Sequence, residues 1–304
     1  MSPEQLTDKL TTALDDALDE FHATLEPSQR EAYRRITELA KDLELKNGRI
    51  RPSIRNVRLI VKIRKELEDA ILNDKYFESI DKLVKVIDEV DVIQSQYFSA
   101  VVASYTPSAV FSELKKQAIQ STVEGLSTAG ISQNIGAKLQ DILRVNITSG
   151  ASFKELSAQL EGFMMDTKTG EGALKKYATT YSTTAVYQYS AQYNQLATND
   201  LGFTWYVYSG GKQKTSRPFC VKMLEAANEG CMKYIHVSQI PELLKGHICS
   251  GDVGLNKKTG LPEGFIEGTT PSNFQVYRGG WNCRHKLLSV PSALVPKELR
   301  AKYD

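Results

Sequence analysis

Residues 203–290 collect all four cysteines of this chain (Cys220, Cys231, Cys249, Cys283), three of its four histidines (His236, His247, His285), both tryptophans (Trp205, Trp281) and more than half of its 20 glycines. No such concentration occurs upstream. Soft ligand atoms, indoles and residues free to take positive φ, placed together, predict a small, turn-rich unit in the last third and plainer architecture before it. With 304 residues the chain is long enough for more than one core.

The first two-thirds reads as successive helices. Apolar residues recur at helical spacing over 3–24, then to about 45, over 54–72 and over 76–104, where Ile80, Leu83, Val84, Ile87 and Val90 mark one buried stripe. Asn47-Gly48 is a left-handed stop, and Arg51-Pro52-Ser53 restarts the chain. Pro107 marks a break, after which shorter helices rich in Ser, Thr, Gly and Gln reach residue 165. Within them, Ser152-Phe153-Lys154-Glu155 is a capping box. A polar helix over 173–199 carries Tyr177, Tyr181, Tyr187, Tyr189 and Tyr193, whose rings are expected to pack on the C-terminal unit. From Phe203 to Tyr208 the aromatic and β-branched run predicts a strand, and the remainder reads as loops, short strands and a short helix over 218–228. The fold class is therefore α+β: a predominantly α-helical N-terminal two-thirds, as a bundle or elongated arm, with a small, loop-rich α+β C-terminal domain. The expected segments are a helical arm over 1–105, a helical middle over 106–200 and the Cys/His-containing domain over 201–304.

Charge excludes little. A formal net charge of +2 and a pI near 8.2 give no global drive toward nucleic acid, so such a role would need local clustering. No apolar run reaches the roughly 20 residues of a membrane span, and the polar, acidic start does not resemble a signal peptide, so a non-secreted protein without a membrane partner is expected. One local cluster does exist. Between residues 45 and 65 stand eight Lys or Arg and no acid. Arg51, Arg55, Arg58, Lys62 and Lys65 recur at steps of three and four, a cationic helix face suited to nucleic-acid phosphates or an acidic partner. Ile54, Val57 and Val61 are expected to form the packing edge beside it, while Glu66, Glu68 and Asp69 argue against a long DNA-tracking surface.

In a reducing compartment the four cysteines read as thiols or metal ligands rather than a disulfide frame. His247-Ile248-Cys249 and Cys283-Arg284-His285 each separate two ligands by one residue, so on an extended segment both side chains face one way. With Cys220 or Cys231 they suffice for a tetrahedral structural zinc: Cys220, Cys283 and His285, with His247 or Cys249 as the fourth ligand. A Cys220–Cys283 disulfide and free thiols are the alternatives. No paired carboxylates, Ser-His-Asp order or phosphate-cradling loop frames these residues, and no enzyme is expected; a zinc-dependent hydrolase or nuclease is the weakest of the functional readings.

Two motifs carry a resemblance. Ser216-Arg217-Pro218-Phe219-Cys220 and Gly279-Gly280-Trp281-Asn282-Cys283-Arg284-His285, following a polar helix, Gly202 and a strand with Trp205, resemble those of the Mu F-like phage minor head, or head morphogenesis, proteins. The resemblance covers about the last third, and an insert over 225–274 departs from the family pattern. It implies a virion component of a tailed bacteriophage, present in few copies in the head near the portal vertex and assembled in the host cytoplasm. Portal protein, major capsid protein and packaged double-stranded DNA are the implied partners. The motif residues map onto Trp205, Arg217, Cys220, Gly279, Gly280, Asn282, Cys283, Arg284 and His285 in an architectural role. Nucleic-acid binding through the basic stripe is the rival function.

Overall fold

The apolar row Leu6, Leu10, Leu14, Leu18 and Phe21 is buried along the whole of helix α1 (Pro3–Ala23). A computed structural model describes residues 1–168 and 170–303, and it is mostly helical with two small sheets, an α+β fold. After α1 come α2 (Leu25–Ala40), strands β1 (Leu45–Lys46) and β2 (Arg49–Ile50), α3 (Ile54–Ile71), α4 (Asp74–Val101), α5 (Ala109–Leu126), α6 (Thr128–Ile131), a π-helical turn Ser132–Gly136, α7 (Ala137–Ser149), α8 (Phe153–Met164) and α9 (Ala173–Leu201). The C-terminal part adds β3 (Trp205–Ser209), α10 (Pro218–Asn228), β4 (Ile235–His236), α11 (Ile240–Leu244), α12 (Phe274–Tyr277), β5 (Lys286–Val290) and α13 (Lys297–Tyr303).

Two compact units divide the chain, and they differ from the three consecutive segments expected. One comprises residues 1–15, 86–118 and 183–304; the other comprises 16–85 and 119–182. The divisions fall inside α1, α4, α5 and α9, where a helical sequence pattern carries no boundary signal.

In the unit of 16–85 and 119–182, α3 packs on α2 and α7, and α8 packs on α2 and α7. Helix α2 stops at Ala40, short of the expected limit near 45, because Asn47 and Gly48 take positive φ (52° and 75°) and turn β1 back on β2. Asn56 anchors that hairpin: its carboxamide accepts from Glu44 N at 2.8 Å and donates to Glu44 O at 3.0 Å and Arg51 O at 2.7 Å. The buried row of α3 is therefore Asn56, Ile60, Ile63, Leu67 and Ala70. Ile54, Val57 and Val61, expected at the packing edge, are 74%, 52% and 65% exposed, a correction to the sequence reading. Two apolar rows compete on this helix, and the hairpin's hydrogen bonds to Asn56 select the other one. The capping box at Ser152 and Glu155 forms, with both hydrogen bonds in place. Tyr177 and Tyr181 donate to Gly125 O and Ser121 O, so these rings seat on α5.

In the other unit, β3 is the middle of an antiparallel sheet ordered β4-β3-β5, with Trp205 opposite Val290 and Tyr208 opposite Leu287. Alternation along β3 splits its side chains between two cores. Tyr206 and Tyr208 join Phe219, Met223, Phe265 and Phe274 on one face, while Trp205 packs with Val290 and Val295 on the other. Edge strand β5 is wholly buried. Its free edge is satisfied by side chains: Asn194 Oδ1 accepts from Ser289 N at 3.1 Å, Tyr97 donates to Ser289 O at 2.8 Å, and Gln275 Nε2 donates to Leu287 O at 2.9 Å and to Asn194 Oδ1 at 2.8 Å. Tyr193 fills the adjoining space against Phe98 and Phe111.

Asn194→Ala leaves Ser289 N buried without an acceptor and one Gln275 donor with only a long contact to Ser289 Oγ at 3.4 Å, and should destabilise the protein by about 2–4 kcal/mol, read from the urea midpoint. Lys286, at the start of β5, donates to Thr11 Oγ1; burial pushes its ammonium down to about 8 from the ordinary 10.5, against the pull of Asp15 and Asp8. Between those values the unfolded chain holds the proton that the folded chain has lost, so stability should rise with pH from about 8 to about 10.5 by on the order of 3 kcal/mol. In Lys286→Met that rise should be absent.

Candidate metal centre

Proline at the first turn of α10 follows Arg217 and fixes where that helix starts, so Cys220 sits one turn in and faces the core. The closing motif reaches the same place from the other direction. Gly279 and Gly280 have φ of +71° and +72°, and a Cβ on Gly279 would overlap the Cys283 sulfur. That pair of glycines bends the backbone so that Cys283 and His285 turn inward. Arg217 locks the bend, with Nη1 donating to Gly279 O and Nη2 donating to Trp281 O at 2.7 Å. Asn282, at φ 61°, donates its amide to Thr184 Oγ1 at 2.9 Å.

The result is three donors in one place. Cys220 Sγ lies 4.0 Å from Cys283 Sγ, which lies 3.6 Å from His285 Nδ1, and all three ligand atoms fall within 4.8 Å of one another. Tetrahedral zinc with ordinary Zn–S and Zn–N bonds has a sulfur–sulfur edge of roughly 3.8 Å and a sulfur–nitrogen edge of roughly 3.6 Å. Two edges of the triangle therefore already have the length a metal requires, and the group can hold a metal ion.

Residues around the donors hold them in place. The His285 ring stacks on Tyr208, centroids 5.6 Å apart at 17°, and its Nε2 is buried without a partner. Buried Arg278 donates to Gln275 O and, at 3.0 Å, to His285 O, with its guanidinium 5.7 Å from the Tyr208 ring centroid. The Cys220 thiol, with His285 and Arg278 behind it, holds the Cys283 thiol well below the ordinary 9.0, while burial pushes the other way. Cys220 is raised, first by its contact with Cys283 and then by burial.

Other residues fall elsewhere. Cys249, a candidate fourth ligand, is disulfide-bonded to Cys231, their Cα atoms 6.3 Å apart. Cys231 follows α10 and Cys249 follows α11, and the chain between them brings the two ends within bridging range. His247 pairs with Asp252 at 3.2 Å and belongs to no ligand cluster among the described residues. The Cys220–Cys283 disulfide alternative is not formed, since both thiols are free. Trp205 is fully buried in the opposite core beside His236 and Tyr303. Sequence reasoning missed Tyr208, Arg278 and Thr184. Alternation along β3 was the available signal for Tyr208, whereas nothing in the pattern marks Thr184.

The basic stripe is on the surface. Arg55, Arg58, Lys62 and Lys65 are exposed on α3, and Arg51 precedes it. Arg55 approaches Glu44 at 3.8 Å, while Glu66 and Glu68 are drawn to Arg35 and Arg64. The chain matches no protein-family model, no curated protein and no solved structure.

In metal-free protein, iodoacetamide should alkylate Cys283 at least about tenfold faster than Cys220 at pH 7, with a midpoint well below 9.0. Cys220→Ala should move that midpoint upward, because the hydrogen-bond donor that most favours the thiolate is gone.

Proposed function

We propose that the chain is a structural minor head protein of a tailed bacteriophage, docking on the portal and inner capsid in few copies near the portal vertex. The observation that carries this reading is the interlock of the two motifs that resemble the Mu F-like proteins. Arg217 of the first holds two carbonyls of the second, and Cys220 of the first lies beside Cys283 of the second. Motifs separated by about sixty positions and joined through backbone carbonyls, buried thiols and a stacked imidazole support an architectural role for these residues. Within this reading the metal is a structural zinc, tying the start of α10 to the loop before β5. Mass spectrometry of purified particles should find the chain far below the copy number of the major capsid protein. Its absence from both particles and assembly intermediates would sink the idea. Purified protein should also carry about one zinc per chain, lost in Cys283→Ser.

A second reading, contact with packaged double-stranded DNA, is favoured by one feature of α3. Arg58, Lys62 and Lys65 are exposed and make no ion pair among the described residues, and the nearby acids Glu66 and Glu68 are engaged by other arginines. Reversing Arg55, Arg58 and Lys62 to Glu should abolish a salt-sensitive shift of duplex DNA, since each phosphate contact adds to the salt dependence. An unchanged shift would remove this face from consideration.

A further inference from the structure

We propose that the metal centre at Cys220, Cys283 and His285 keeps its fourth position open to solvent and takes a small free anion there. The inference rests on the metal reading given above and specifies what completes the site.

A tetrahedral ion needs four donors, and the cluster supplies three. The remaining cysteines and histidines are committed elsewhere: Cys231 and Cys249 to each other, His247 to Asp252, His236 to Ser238 at 2.8 Å and to the Trp205 ring, and His22 to Ser182 at 3.0 Å. Asp15, the carboxylate that reaches Arg284, accepts also from Tyr187 at 2.9 Å.

The donors border a cavity of about 160 Å³ whose other walls are Gln213, Thr215, Ser216, Arg217, Asn282 and Arg284. Amide, hydroxyl and guanidinium groups line it, and no carboxylate among the described residues does. A volume of that size holds several waters, or one anion of a few atoms with water around it.

Charge selects the ligand. A divalent ion with two thiolates and a neutral imidazole sums to zero, so the arginines decide the local sign. Arg217 and Arg284 face the cavity and Arg278 is buried behind His285, with Asp15 offsetting one of the three. The balance is positive, so an anion is favoured over a neutral donor at the open position.

Cobalt(II) substitution of the full-length protein tests this, because the visible bands of a thiolate-bound cobalt ion respond to each change of ligand. Azide is the probe. A saturable change in those bands, with cobalt still travelling with the protein on gel filtration, is the expected result. In Arg284→Gln, the azide affinity measured on the cobalt-loaded fraction should fall by roughly five- to tenfold, the order expected for one charge beside the cavity. A cobalt spectrum indifferent to azide would mean that the protein itself fills the fourth position; that overturns the open site and leaves the structural metal standing. Failure to bind cobalt or zinc at all would overturn both, and azide that strips the cobalt from the protein would overturn the open site.

Discussion

The C-terminal unit depends on how the outer edge of β5 is satisfied. A buried edge strand without partners would leave backbone donors and acceptors in an apolar setting, at a cost of about 1–3 kcal/mol for each group. Here Asn194, Tyr97 and Gln275 supply those partners, so one strand edge is paired by β3 and the other by side chains from α9, α4 and α12. This also removes the hazard of an open edge, which would otherwise recruit another strand. Because His285 immediately precedes β5, the same bonds that satisfy the strand fix one ligand of the candidate metal centre.

The candidate metal centre is assembled by backbone as much as by side chains. Arg217 spends two donors on carbonyls of the Gly279–Trp281 bend, and two consecutive positive-φ glycines place the Cys283 sulfur where any Cβ at residue 279 would intrude. Stacking on Tyr208 restrains the imidazole. Such restraint lowers the ordering cost that a metal ion would otherwise meet on binding, since the donor spacing is already close to a tetrahedral edge. The disulfide between Cys231 and Cys249 serves a separate purpose, tying the ends of the segment around α11 within the insert.

Much of this was legible in advance, and the failures have physical causes. Helices α1, α3, α4 and α9, the capping box at Ser152 and the strand at Trp205 follow from spacing and local hydrogen bonding, which act over a few residues. The gathering of Cys220, Cys283 and His285 could be anticipated from composition and motif resemblance. The exposed row Ile54, Val57 and Val61 could not be separated from the buried row Ile60, Ile63 and Leu67 by periodicity, because both are apolar and both are helical in spacing. What chose between them was a hairpin held through Asn56, a polar residue that no hydrophobic pattern would place in a core.

The sequence by itself determined where the chain is helical, where it turns and which segment holds the soft ligands, because those properties reside in each residue and its near neighbours. Tertiary structure alone decided which thiols pair, which helix face is buried and how α1, α4, α5 and α9 are shared between two units. These are outcomes of competition between contacts far apart in the chain. A cysteine carries no label for its partner, and an apolar row none for its neighbour, until packing has brought particular atoms within reach.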